Sequence, residues 1–388
     1  MKITGVRTYP YAFKLNRKLG DANSPSGRET YAAMAVFIDT DEGISGVSVG
    51  APAAAPRIHW FVDNLLRGCD PRGVAGLWKK MIDYVFKGGN RGTETAVIAA
   101  IDLALWDLKA RCRGEPLWRT LGGSSPRVRA YASGLDMPLS DEALSIFYER
   151  MAAKGISAGK LKVGLDMNMD LQRIGIMKEA LGRTGKTVEL MVDANEYWSP
   201  KQAIRKVAEM ERTFDLTWVE EPARRWDYRG LKKVSDSIRA AVATGENLDD
   251  ISDYTPLIAN GGVDVLNLGA RAAGITGALK VAALAYAFEV PVSVMNSPGN
   301  IMGHFAACLP NHIMIEVLDA GRDAFLHTEH HVEDGWVVMS EAPGLGISYD
   351  VEELEEAGGH FDPSDTGPLF SSRRRGAGLY QVGPGEAG

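Results

Sequence analysis

Three acidic residues each close a short apolar run, about 26 residues apart. They are Asp193 after Leu190-Met191-Val192, Glu220 after Leu216-Thr217-Trp218-Val219, and Glu246 after Ala243-Thr244-Gly245. About 31 residues before Asp193 comes Lys160-Leu161-Lys162. A β-strand with its returning helix takes this length. The four sites are therefore expected at the carboxyl ends of successive parallel strands, pointing into one mouth. Three carboxylates there invite a divalent cation. A hard ion such as Mg²⁺ takes oxygen ligands in near-octahedral geometry and leaves positions for water and substrate. It absorbs the charge that develops when a proton leaves the carbon α to a substrate carboxylate, so stabilising the enediolate is the main task. Lys160 and Lys162 stand at i and i+2 of one strand and share a face. A second ammonium and a divalent cation are expected to lower a lysine's pKa toward neutrality, which suits a general base.

The elements that must position these groups alternate from about Val128 onward. Strands are expected to end near Lys162, Asp193, Glu220, Glu246, Leu268, Met295 and Glu316, with helices between them. One helix is read over Leu171–Leu181, and another starts at Ser199-Pro200, a good cap followed by proline at the first helical position. Seven or eight such units favour a TIM-type barrel over an open sheet, with the active site at the strand ends.

Residues 1–50 alternate like strands, with a turn at Thr40-Asp41-Glu42-Gly43. The polar stretch from Leu15 to Arg28 reads as a mobile loop. The strongest helix runs from Thr93, as its N-cap, to Cys112, and Gly114 ends it. Near residue 320 the pattern breaks; Gly335–Met339 and Pro343–Ile347 look like a strand pair packing back on the first domain. The organisation expected is an α/β protein. An N-terminal α+β domain spans 1–125, completed by about 325–360; a barrel spans 126–324; a Gly/Pro/Ser-rich, poorly ordered tail spans 361–388.

Composition excludes several classes. The chain has 388 residues and a formal net charge of -7. No Lys/Arg stripe is interleaved with aromatics, so no nucleic-acid partner is expected. The one basic run, Arg373-Arg374-Arg375, reads as solvated. Cys69, Cys112 and Cys308 are far apart, which excludes a Cys-x-x-Cys metal or redox motif and fits a reduced, cytoplasmic compartment. No apolar run approaches the roughly 20 residues of a membrane span.

Lys160-Leu161-Lys162, Asp193-Ala194-Asn195, Glu220-Glu221-Pro222 and Gly245-Glu246-Asn247 resemble the signature of the enolase superfamily, nearest its mandelate racemase and muconate-lactonizing branch. The helix containing Ile101-Asp102-Leu103-Ala104-Leu105-Trp106-Asp107 and the Pro343-Gly344-Leu345-Gly346 turn resemble it too; the likeness covers about residues 1–355. It implies an N-terminal capping domain over a modified (β/α)7β barrel, with a loop near Gly20–Ser26 closing on substrate. It implies Asp193, Glu220 and Glu246 as Mg²⁺ ligands, Lys162 as base, Lys160 as its tuner, and Asn195 beside the site. Glu316 matches a position that hydrogen-bonds the substrate carboxylate. Barrels of this family usually associate, so a homo-oligomer is expected.

The chain departs from that branch on the opposite face. There the family places an Asp on the sixth strand and a His on the seventh; here the positions read Leu268 or Gly269, and Met295. Arg271, Asn296 and His304 are candidate stand-ins, Arg271 as a holder of an anionic substrate group. His304 otherwise reads as a structural residue opening a barrel helix, and His327, Glu329, His330 and His331 as a solvated loop. A two-base racemisation needs donors on both faces, whereas abstraction by Lys162 followed by loss of a β leaving group needs one. Dehydration of a hydroxy or sugar acid is the favoured activity. A racemase, epimerase or cycloisomerase, or an inert metal-binding relative, are the alternatives. Of the capping segments 15–30 and 50–58, Asp21, Asn23, Ser24, Ser26 and Arg28 suggest a polar ligand of modest size.

Overall fold

The computed structural model describes residues 1–358, 373, 374 and 377. Three antiparallel strands open the chain: β1 (Ile3–Leu19), β2 (Arg28–Thr40) and β3 (Ser45–Gly50). The turn at residues 41–43 lies where it was expected. The loop does not: β1 runs through to Leu19, which pairs with Arg28, so only residues 20–27 form the turn. Leu15 and Leu19 explain this, because both are buried against Leu318 and Ala320. Apolar anchoring overrides a polar local sequence.

The helix Thr93–Arg113 begins on Gly92, not with Thr93 as its cap, and ends on the left-handed Gly114. It docks on a barrel helix, Gly274–Ala287, through Trp106 Nε1 donating to Thr276 Oγ1 at 2.9 Å and through Asp102, which accepts from Thr276. The helix read over Leu171–Leu181 starts earlier, at Met167, where Asp166 caps it. Ser199 caps the helix Pro200–Met210 in a full capping box with Gln202.

Eight parallel strands follow: β4 (Arg127–Ser133), β5 (Ala158–Lys162), β6 (Glu189–Asp193), β7 (Leu216–Glu220), β8 (Ala241–Thr244), β9 (Val265–Leu268), β10 (Val292–Val294) and β11 (His312–Val317). Each pairs with the next, and β11 pairs with β4, so the sheet closes into a barrel. Side chains alternate in and out along each strand. Tyr131, Ala158, Met191, Trp218, Ala243, Val265 and Met314 form one buried cluster inside the barrel. Two residues further along β5, β6, β7, β9 and β11 come Lys160, Asp193, Glu220, Asn267 and Glu316, all buried. The apolar plug thus supports a polar layer.

The segment after the barrel differs from expectation. Trp336–Val338 pairs with His331–Glu333 and extends β4, while Ile347–Ser348 pairs with His327–Thr328. Valine at 337 drives this choice, since it is fully buried against the barrel core. Tyr349 does pack back on the first domain, against Tyr11 and Phe37. Most of the 361–388 tail lies outside the described residues.

Candidate active site

The carboxyl ends of the strands and the capping turn enclose a cavity of about 500 Å³. Of the residues singled out from sequence, Lys162, Asn195, Glu246, Arg271, Asn296 and Glu316 line it, together with Asp21 and Asn23 of the cap. Lys160, Asp193 and Glu220 lie buried beneath them. Adjacent strands set the spacing: Lys162 pairs in register with Asp193, and Asp193 with Glu220. Glu246 lies two residues beyond β8. Gly245 turns the chain there with φ 129°, close enough to Asn267 O that a Cβ would meet it at 2.8 Å.

The lysines and carboxylates form a dense lattice. Lys162 Nζ donates to Asp193 Oδ2 at 2.5 Å. Lys160 Nζ lies 2.5 Å from Glu220 Oε1, 3.0 Å from Glu316 Oε1 and 3.4 Å from Asp193 Oδ2. Burial is the largest single influence on Lys162 and opposes its charge, but Asp193, Glu246 and Glu220 together outweigh it and raise the pKa. The same balance raises Lys160, through Glu220 and Glu316. The lowered lysine pKa expected from sequence presupposes a bound divalent cation; with the carboxylates alone as neighbours, both lysines are raised. Burial raises Glu220, Glu221 and Glu246, and neighbouring carboxylates push each further up. Glu316 goes the other way, to about 2, because Lys160 and Lys162 outweigh its burial.

Among the described residues, no three His, Cys, Asp or Glu side chains converge on a ready-made ion position. The ammonium groups explain this, since they lie on the carboxylates a cation would join. The donor set nevertheless fits a hard divalent cation. Asp193, Glu220 and Glu246 supply oxygens from three consecutive strand ends. Glu221, absent from the sequence-derived set, adds a buried Oε2 without a partner. Mutual repulsion among these carboxylates is what a doubly charged ion relieves.

Backbone strain gathers at the same place. Asn195, Glu196 and Glu221 are non-glycine residues in the left-handed region, with φ of 43°, 57° and 43°. Such conformations cluster at functional sites. Asn195 donates its backbone N–H to Asp193 Oδ1 at 2.8 Å, and its own Oδ1 is buried without a donor. From the cap, Asn23 Nδ2 donates to Asn195 O at 2.9 Å, and Asp21 accepts from Asn23 and Ser24 N–H groups, fixing the turn. Residues 50–58 do not line this cavity.

The remaining expectations divide. Arg271 lines the cavity but pairs with Asp249 at 2.6 Å. Asn296 donates its backbone N–H to Glu316 Oε2 at 3.2 Å, and its side-chain amide bonds to the same oxygen. His304 is no stand-in. It is fully buried, accepts from Trp118 N–H at 3.0 Å and contacts Leu345 O at 3.0 Å, tying the barrel to the segments around it. His327, Glu329 and His331 are exposed, as expected of a loop, whereas His330 is largely buried against Gly299 O. Arg373, expected to be solvated, is exposed yet lines the cavity rim and donates to Glu196 O at 2.9 Å. Arg224, Arg225, Arg322 and Tyr31 also line it. No spacing signal marked them, because each comes from a loop or from the cap. On the opposite face Leu268 packs outward into the main core, while Gly269 stands beside Met295, with a 3.3 Å approach for a Cβ built there.

A family model described as enolase C-terminal domain-like matches residues 143–354. One described as the mandelate racemase / muconate lactonizing enzyme N-terminal domain matches residues 23–122. The chain is 32% identical to a 3,6-anhydro-alpha-L-galactonate cycloisomerase of Streptomyces coelicolor over 91% of this chain and 98% of that one. It is 30% identical to an L-talarate/galactarate dehydratase of Salmonella typhimurium, over 85% and 84%. Among solved structures, an L-talarate dehydratase from a Polaromonas species, complexed with Mg and L-glucarate, superposes with TM-score 0.82 and 28% identity, over 92% and 96%. No helix among the described residues is long and apolar enough to cross a membrane. The chain belongs to the enolase superfamily, in its mandelate racemase/muconate lactonizing enzyme group, and is an enzyme of that family.

Proposed function

We propose that this enzyme abstracts the proton α to the carboxylate of a sugar acid with Lys162 and then expels a β oxygen, using Mg²⁺. The observation that carries the reading is the one-sided site: Lys160, Lys162, Asp193, Glu220 and Glu246 meet on β5–β8, while β9 and β10 present Gly269 and Met295. Asp193, Glu220 and Glu246 are the residues that would hold the ion. When bound, Mg²⁺ would supply counter-charge to these carboxylates and stabilise negative charge on the substrate carboxylate.

Lys162 Nζ in its neutral form takes the α-proton. As the ammonium it returns that proton to the departing β oxygen. For a β hydroxyl the balance is a sugar acid giving a 2-keto-3-deoxy acid and water. For a β ring ether, as in an anhydro-sugar acid, the same electron flow opens the ring without losing water. Lys160 keeps its proton, held by Glu220 and Glu316, and positions both. Glu316 and Asn296 orient the substrate's polar end. Met295 and Gly269 hold no proton to deliver to the far face, which disfavours racemisation.

A panel of sugar acids assayed for 2-keto acid formation, with and without Mg²⁺, tests this. Mg²⁺-dependent product lost in Lys162→Ala is expected. Turnover that survives Lys162→Ala, or that proceeds in EDTA, contradicts it.

A further inference from the structure

We propose that Arg322, with Tyr31, anchors a second anionic group of the substrate, so that the preferred substrate is a sugar diacid and not a monoacid. The proposal rests on the sugar-acid reading above and specifies its far end.

The arginines around the cavity are not equivalent. Arg225 pairs with Glu196 at 2.5 Å, and Arg224 lies 3.2 Å from the same carboxylate. Arg271 is taken by Asp249. Arg373 is exposed, so water screens its charge. Arg322 is half-buried and forms no ion pair among the described residues. Its guanidinium donates to Asn296 Oδ1 and, at 3.1 Å, to Tyr31 Oη. It also stacks on the Tyr31 ring with Cζ 4.8 Å from the centroid. Arg322 Nε is buried without an acceptor. A guanidinium carries five N–H donors, so most of its capacity is unspent. Tyr31 accepts from Arg322 and has no acceptor for its own O–H among the described residues.

A half-enclosed cation with idle donors is unfavourable until an anion joins it. A planar carboxylate matches the guanidinium fork, with the Tyr31 O–H as a further donor. The position suits a second carboxylate. Arg322 follows β11, which stands across the ring of eight strands from β7, the strand bearing Glu220. Asn296 bridges Arg322 to Glu316, and Glu316 to Lys160, so the anchor has a fixed offset from the reacting end.

Binding is read by calorimetry in the Lys162→Ala enzyme with Mg²⁺, which blocks turnover. The probes are galactarate and glucarate against galactonate and gluconate. The diacids are expected to bind at least about tenfold tighter. Adding Arg322→Gln should weaken them about 100-fold, the scale of charge-assisted hydrogen bonds, and leave the monoacids within about threefold. Arg322→Lys and Tyr31→Phe, which keep charge or ring, should fall between, and they carry the test if Arg322→Gln does not fold. Equal affinity for both acid classes, or equal weakening of both by Arg322→Gln, overturns the anchor. Turnover of monoacids alone by the unmodified enzyme overturns it while leaving proton abstraction intact. Absence of binding or turnover with every acid overturns both.

Discussion

The two halves of the barrel mouth are built from the same element and carry opposite chemistry. On β5–β8 every strand ends in or leads to a charged group, and those of β5, β6 and β7 contact one another within 2.5–3.4 Å. On β9 and β10 the inward positions are Asn267, Gly269, Ser293 and Met295, and the Asn267 and Ser293 side chains are buried without partners. One half carries the acidic and basic groups; the other carries amide and hydroxyl groups and an apolar wall. The fold supplies symmetry and the strand ends break it. Chemistry confined to one face, abstraction followed by elimination, is what that asymmetry supports.

The two halves should differ most in their response at Lys162. Lys162→Ala should lower kcat by about 10³-fold, within the range for a general base, with the fold intact by circular dichroism. Next is the cation. Asp193→Asn should weaken Mg²⁺ binding by roughly tenfold or more, since one oxygen ligand loses its charge, as read by calorimetry. On the neutral face, Met295→Leu should change kcat by less than about threefold and cost under about 1.5 kcal/mol, as volume-conserving apolar swaps do. A large loss of kcat there would mean that the neutral face takes part in proton transfer.

His304 belongs to neither half and gives a separate, smaller signal in stability. Burial pushes its pKa from 6.5 down to about 3. The folded form resists protonation, so stability is full above about pH 6.5 and falls as pH drops toward 3. Between pH 7.5 and 5 the loss is about 2 kcal/mol. His304→Gln, which preserves a donor and an acceptor, should flatten this part of the Tm-against-pH curve. An unchanged slope would place the acid sensitivity elsewhere, with His330 as the next candidate, since its pKa is lowered to about 4 by burial.

Much of the charged half was legible in sequence, because strand-end residues recur at the length of a β/α unit. Lys160, Lys162, Asp193 and Glu220 needed only that spacing and the two-residue alternation. Glu246 was legible by the same count, although it reaches the cavity through the Gly245 turn and not from within a strand. Residues supplied by loops escaped. Arg322 lies beyond the last barrel strand, and Tyr31 belongs to β2 of the cap, so their meeting is a product of domain packing. The β1 boundary was misplaced for a related reason: Leu15 and Leu19 gain burial from Leu318 and Ala320, some 300 residues away. Arginine at 271 shows the converse, a residue in the right place whose charge Asp249 already satisfies. The lowered lysine pKa expected from sequence belongs to a site that holds a divalent cation; without one, the buried carboxylates around Lys160 and Lys162 raise both.

Everything proposed for this enzyme depends on proton abstraction from one face. It is tested most directly by running a sugar acid that the enzyme turns over in D₂O with Mg²⁺, and following the α-carbon and the product by NMR. The account predicts a 2-keto product, recovered substrate of unchanged configuration at the α-carbon, and loss of both turnover and exchange in Lys162→Ala. Inversion at the α-carbon without a 2-keto product would contradict it.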